Sequence, residues 1–304
     1  MNGTSVMEDL ALWGPQACNP PPILSLVDAE QYCRRLACSH YENFPVVTWF
    51  LPRSLRQHFY NVYAYCRWAD DLGDETGEPA TSLMLLNWWR TELDRCYAGT
   101  ATHPVLLALQ TTIDRFSIPR EHFMDLISAF EQDQTVQEYD SLPQLLDYCT
   151  RSANPVGRII LYLGECHDAQ HAALSDSICT GLQLANFWQD VARDFEIGRI
   201  YLPREIRRQF GYSDAEMQTR RTTPEFQNML QHLTGIAREL LQQGQPLVGK
   251  MPGRLSMDIA LFIRGGLLIL DAIERVDYRV WEVRPKVKKS QLALAAMKAW
   301  CRWP

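Results

Sequence analysis

The 304-residue sequence has no Cys-x-x-Cys pair and no His/Cys group at zinc-ligand spacing, which excludes zinc-ribbon and thioredoxin-like motifs. Its nine cysteines are odd in number and are expected as reduced thiols in a cytoplasm, where disulfides are rare. The motifs G-x-S-x-G, G-x-x-x-x-G-K-[ST] and H-E-x-x-H are missing, and with them the hydrolase, P-loop and metalloprotease classes they mark. An excess of positive charge is missing: 30 Lys/Arg against 36 Asp/Glu give a net charge of −6, which argues against a nucleic-acid partner, since that would want a basic face. Long apolar runs are absent too. The longest, Ile259–Leu270, has Asp258 before it and Arg264 within it and is too short to span a bilayer. Met1–Leu12 carries acids but neither a basic n-region nor an apolar h-region, so it is not read as a secretory signal. A cytoplasmic protein is expected, soluble or peripheral at the inner face of the membrane.

What remains is helical periodicity. Apolar residues recur at three- and four-residue spacings over 25–38, 54–73, 81–98, 104–116, 120–132, 142–164, 172–195, 225–243 and 255–281, the signature of amphipathic helices. Alternating strands bounded by hairpin turns are not found, and no Pro/Gly/Ser-rich linker separates two halves. The reading is all-α: a flexible tail over 1–24, ending in the Pro-rich Asn19–Pro22, and one helical domain over 25–304. Its C-terminal end is basic. Eight Lys/Arg lie between Arg275 and Arg302, against Asp277 and Glu282. Such a run is either a solvated helix or a docking patch for an anionic membrane surface.

Two acidic stripes carry the chemistry. At about 100° per residue, Asp70 and Asp74 lie about 40° apart, one turn above each other. Tyr63, Tyr65 and Trp68 nearby suggest a half-buried helix, where a carboxylate pair needs a counter-charge that Arg67 supplies only in part. By the same rotation Gln183, Asn186, Asp190 and Asp194 share a stripe roughly 80° wide. Leu182, Leu184, Ala185, Phe187, Trp188, Val191 and Ala192 fill most of the remaining circumference. A helix apolar nearly all round belongs inside a bundle, so its narrow polar stripe is expected to face an internal cavity. Oxygen ligands at this spacing suit Mg²⁺, which binds one or two carboxylates plus substrate phosphates. Such ions would stabilise charge on a departing diphosphate, and aromatic walls would favour the carbocation left behind. A di-iron bundle would instead want Glu-x-x-His on two helices, and none of the seven histidines supplies it.

Asp70-Asp71-Leu72-Gly73-Asp74 and Gln183-x-x-Asn186-x-x-Gln189-Asp190-x-x-x-Asp194, with the trailing Gly198-Arg199-Ile200-Tyr201-Leu202-Pro203, resemble the two aspartate-rich motifs of the squalene/phytoene synthase family. The likeness runs over roughly residues 25–290. It implies an all-α isoprenoid synthase fold with a central apolar cavity, prenyl diphosphate substrates, and Mg²⁺ held by Asp70, Asp74, Asn186, Asp190 and Asp194. His40–Val46, Tyr65–Asp71 and Tyr148–Arg158 are similar to the bacterial hydroxysqualene synthases of hopanoid biosynthesis. That branch implies ionisation of presqualene diphosphate, cation rearrangement and quenching by water, with no NADPH. The alternatives are head-to-head condensation of two farnesyl diphosphates to squalene or dehydrosqualene, and a non-catalytic assembly-factor relative of the family.

The resemblance also assigns roles to single residues. Arg67, Tyr201 and Tyr278 are expected near the diphosphate, and Gln183 and Gln189 among the substrate-binding residues, with Gln183 and Asn186 supporting the metal cluster or its waters. Val156 and Gly157 are either a close helix contact or part of the tunnel wall. The stretch His40-Tyr41-Glu42-Asn43-Phe44 stands where the wider family has a Ser-rich stretch, and His40, Asn43 and Phe44 are expected to bind substrate without those hydroxyls. Glu42 or Tyr41 is expected to position the quenching water. Gln189 stands where the wider family often has Arg, and Glu138 where relatives tend to be basic. Asn186 and Tyr201 complete the expected catalytic set.

Overall fold

The computed structural model describes residues 6–17, 25–39 and 51–287. Among them no strand forms, and a single isolated parallel bridge joins Glu138 to Ile200. The chain divides into two compact units, residues 1–135 and 136–304.

The first unit holds α1 (Val6–Trp13), α2 (Leu26–Ser39), α3 (Arg53–Asp74), α4 (Pro79–Tyr97), α5 (Pro104–Phe116) and α6 (Arg120–Asp133). Helix α3 touches all the others and buries Phe59, Val62, Tyr65, Trp68 and Leu72 against them. The centre is aromatic. Trp68 stacks on Trp89 at 5.3 Å between ring centroids, and the His103 ring meets Trp68 edge-on at 4.4 Å. Burial pushes His103 down to about 3, so it sits in this cluster as a neutral ring. Part of the segment expected as a tail is ordered here. Val6 and Asp9 of α1 are buried, and Asp9 accepts a 2.6 Å hydrogen bond from the Tyr32 hydroxyl, which accepts one from Trp68 Nε1. An eight-residue helix gives too little periodicity to read from sequence.

The second unit holds α7 (Leu142–Ser152), α8 (Asn154–Leu163), α9 (Ala169–Glu196), α10 (Arg204–Gln209), α11 (Asp214–Gln218), α12 (Pro224–Gly244), a 3₁₀ turn (Gln245–Gly249) and α13 (Leu255–Arg275). Asp168 caps α9, its carboxylate accepting from His171 N. The helix packs against α7, α8, α12 and α13 and lets α12 come close through small residues. A Cβ on Gly244 would lie 2.3 Å from Ile178 Cγ1 and 2.8 Å from the Leu174 carbonyl oxygen. Near the start of the unit, the buried Arg207 is paired with Glu138 and Asp214, and Arg204 also reaches Glu138. Glu138 is thereby the counter-ion of two arginines.

Two of the expected helices end early. The segment 142–164 breaks at Ala153 (φ −122°, ψ −49°), because Pro155 can neither donate to the preceding turn nor fit against its carbonyl. The segment 255–281 stops at Arg275, where Asp277 and Tyr278 both turn left-handed at φ 56°.

Candidate active site

Each unit carries one acidic stripe. In the first unit the last two turns of α3 present Asp70 and Asp74 outward, half-buried and exposed respectively, while Asp71 turns inward and is buried. Arg67, one turn back, donates through Nε to Asp71 Oδ2 at 3.1 Å and lies 2.5 Å from Asp71 Oδ1 through its second nitrogen. The same guanidinium reaches Asp70 at 3.5 Å and Glu75 at 3.3 Å. Burial pushes the Asp71 carboxyl up to about 7 even with Arg67 beside it. Asp71 thus anchors Arg67 on the stripe. The sequence offers this pairing, since a four-residue spacing from Arg67 is the ordinary signal of a helical ion pair. Gly73 lets α6 approach: a Cβ there would be 3.4 Å from Phe130 Cβ. Its carbonyl accepts from Ser82 Oγ and Gln134 Nε2, which fixes the turn after the motif.

In the second unit α9 buries Leu184, Ala185, Phe187, Trp188 and Val191, as its apolar circumference requires. The stripe itself is not sealed: Asn186 is exposed, and Gln183, Asp190 and Asp194 are half-buried. Asp190 is engaged at both oxygens by Arg284, at 2.5 Å from Nε and 3.0 Å from a terminal nitrogen. Beside it Gln189 donates from Nε2 to the Pro285 carbonyl at 2.7 Å. Asp194, one turn on, is pushed up to about 7, first by burial and then by the negative charge of Asp190.

Asp194 also borders a cleft of about 240 Å³, part of it open solvent, lined by Phe187, Phe195, Tyr201 and Trp281. Tyr201 stacks on Phe187 at 3.8 Å with the rings 10° apart, and Tyr148 and Tyr139 follow at 6.1 and 5.9 Å. The Asp194 carboxylate and the aromatic rings beside it give the cleft a lining suited to a cation.

The other expected site residues fall as follows. Gly157 is a tight crossing of α8 on α9, where a Cβ would meet Ser175 Oγ at 2.3 Å and Cys179 Sγ at 2.5 Å. Val156 next to it is exposed. Tyr278 lies half-buried beyond α13, in the left-handed turn that ends that helix. His40, Tyr41, Glu42, Asn43 and Phe44 lie outside the described residues, as does the basic stretch from residue 288 onward. Arg284 and Trp281 join the site unforeseen. The signal for Arg284 was present but read only as one charge in a basic run.

A divalent metal fits these groups. The donors are all oxygen, which suits a hard cation, and Asp190 already attracts a full positive charge. Among the described residues no three His, Cys, Asp or Glu converge into a ready-made cage. Mg²⁺ commonly takes one or two carboxylates and completes its shell with water and substrate phosphate.

Known proteins resemble this chain over most of its length. The family model for Squalene/phytoene synthase matches residues 37–291, and the chain belongs to that family. It is 31% identical over 258 residues to a hydroxysqualene synthase of Sinorhizobium fredii, covering 83% of this chain and 85% of that one. A 15-cis-phytoene synthase of Synechococcus elongatus is 27% identical, with 91% and 95% covered. Among solved structures, squalene synthase HpnC from Alicyclobacillus acidocaldarius superposes with a TM-score of 0.80 at 44% identity, covering 83% of this chain and 95% of that one. A dehydrosqualene synthase at 22% identity and TM-score 0.82 shares the fold. The fold is therefore the all-α isoprenoid synthase fold, and the chain is a prenyl diphosphate-processing synthase.

Proposed function

We propose that the chain ionises presqualene diphosphate with the help of Mg²⁺, lets the cyclopropylcarbinyl cation rearrange, and quenches it with water to give hydroxysqualene and diphosphate. The observation that carries this reading is the pairing, on one end of α9, of the Asn186–Asp190–Asp194 stripe with the Phe187/Tyr201 aromatic stack. The 31% identity to two hydroxysqualene synthases supports the choice of reaction.

Asp70 and Asp74 on α3, with Asn186, Asp190 and Asp194 on α9, are the oxygen ligands. When bound, the metal neutralises the diphosphate and stabilises it as a leaving group. Arg67, fixed by Asp71, and Gln183 and Tyr278 hold diphosphate oxygens. Phe187 and Tyr201, stacked on one another, line the cleft with aromatic surface, and a cation over a well-placed ring gains on the order of 0.5–2 kcal/mol. Glu42 or Tyr41 holds the water that ends the reaction, since placing a water needs a polar group in the apolar tunnel that the family resemblance implies. No hydride donor enters this scheme.

The second reading is head-to-head condensation of two farnesyl diphosphates. It is favoured by the 44% identity to a protein described as a squalene synthase and by the phytoene synthases among the relatives.

One assay separates them. Purified protein with Mg²⁺ and presqualene diphosphate, without NADPH, is expected to yield hydroxysqualene in extracts read by gas chromatography–mass spectrometry. No product there, but presqualene diphosphate or squalene from farnesyl diphosphate, moves the chain to the condensing reading. In the same assay a Glu42→Gln enzyme making hydroxysqualene at the unaltered rate removes Glu42 from the quench.

A further inference from the structure

We propose that Arg284 is a positioning residue of the metal site: its guanidinium holds the place of a divalent cation on Asp190, and the arriving ion displaces it. This rests on the reading of Asp190 as a metal ligand. The fork of Arg284 occupies both carboxylate oxygens of Asp190, at 2.5 and 3.0 Å, so an ion cannot coordinate Asp190 from the side Arg284 covers until it leaves. Asp190 and Asp194 stand at i and i+4 on one stripe, and like charges so placed repel. A cation is therefore wanted there at all times, and before a metal binds the chain supplies its own.

Arg284 is built to let go. It lies beyond the end of α13, past the last turn of the chain that follows that helix. Its side chain is 41% exposed against 22% for Asp190, and partly exposed ion pairs are weak enough for a divalent ion to replace. Arg67 makes the contrast. It sits on the same helix as its partner, and that partner, Asp71, is only 3% exposed, so the pair stays closed. The segment after α13 is also held on α9 by Trp281, which packs edge-on against Phe195, and past Trp281 by the hydrogen bond from Gln189 to the Pro285 carbonyl. When Arg284 leaves, that hydrogen bond is what holds the chain past Trp281, and the chain at Lys286 loosens. Metal arrival is thus coupled to release of the segment that lies across the stripe.

The test uses the full chain without substrate. Mn²⁺ binding is titrated by the electron paramagnetic resonance of the free ion in the wild type, Arg284→Gln and Arg284→Lys. Arg284→Gln is expected to bind Mn²⁺ about three- to tenfold tighter, because the competing cation is gone, with Arg284→Lys in between. A purely structural ion pair would move affinity the other way. Independently, tryptic cleavage at Lys286 of the wild type is expected to speed up when Mn²⁺ is added, a readout that needs no variant. Unchanged or weaker Mn²⁺ binding by Arg284→Gln, or cleavage indifferent to Mn²⁺, overturns the exchange alone. A wild type that binds no Mn²⁺ overturns the metal reading of Asp190 and the exchange with it.

Discussion

A carboxylic acid buried without a partner is tolerated only as the neutral acid, and Asp258 on α13 is such a group. It is 3% exposed, neither oxygen finds a hydrogen-bond partner, and burial pushes its carboxyl up to about 8. In the unfolded chain the same group ionises near its ordinary value. Between the two values the folded protein holds a proton that the unfolded chain has lost, so stability falls as pH rises from about 4 toward 8, at up to about 1.4 kcal/mol per pH unit. Asp258→Asn cannot ionise and should remove this slope. Thermal unfolding of both proteins from pH 5 to pH 8.5 is expected to show the variant gaining on the wild type as pH rises. Parallel curves would mean that Asp258 is not held neutral. At this scale the sequence speaks through spacing: Asp70, Asp74, Asp190 and Asp194 are legible because four-residue steps put them on shared stripes. Asp258 is invisible to that logic, since one acid in an apolar helix reads as an interruption. Arg284 is invisible for another reason: its partner is 94 residues away.

At the scale of the elements, the tightest fit is where α9 meets α12. Gly244 sits against the Leu174 carbonyl and Ile178, and a backbone oxygen 2.8 Å from a new Cβ cannot rotate away. Gly244→Ala should therefore cost roughly 1–3 kcal/mol, the usual range for overpacking, read as a lower urea midpoint with unchanged slope. A cost within error would mean that the 3₁₀ turn after α12 shifts to make room. The expected helices were found where periodicity ran long, as over α3 and α9. Readings failed at their ends for local reasons. Pro155 breaks a run whose apolar spacing continues past it, and the left-handed pair Asp277–Tyr278 stops α13 without a glycine to announce it. Helices α1, α10 and α11 have eight, six and five residues, too few turns for a periodic pattern.

At the scale of the molecule, no helix of the described residues is long and apolar enough to cross a membrane. On the proposed reading of α9, an ion on Asp190 or Asp194 completes its shell with phosphate oxygens, so metal and diphosphate together should stabilise the native chain more than either alone. Mg²⁺ with inorganic pyrophosphate should raise the thermal midpoint, since saturation a hundredfold above the dissociation constant adds about 2.7 kcal/mol. Asp190→Asn should lose most of that rise. No shift with millimolar concentrations of both would count against the metal-diphosphate reading.

The tryptophans divide the same way. Trp68 and Trp89 lie 5.3 Å apart with planes 15° from parallel, close enough for their electronic transitions to couple. Trp188 and Trp281 belong to the other unit, each packed beside a phenylalanine ring. Circular dichroism in the aromatic bands should therefore be dominated by the coupled indoles of residues 1–135. The fluorescence of a Trp188-only or Trp281-only protein would report residues 136–304. The chain carries an optical label for each unit, and whether the two melt together can be watched without adding a dye.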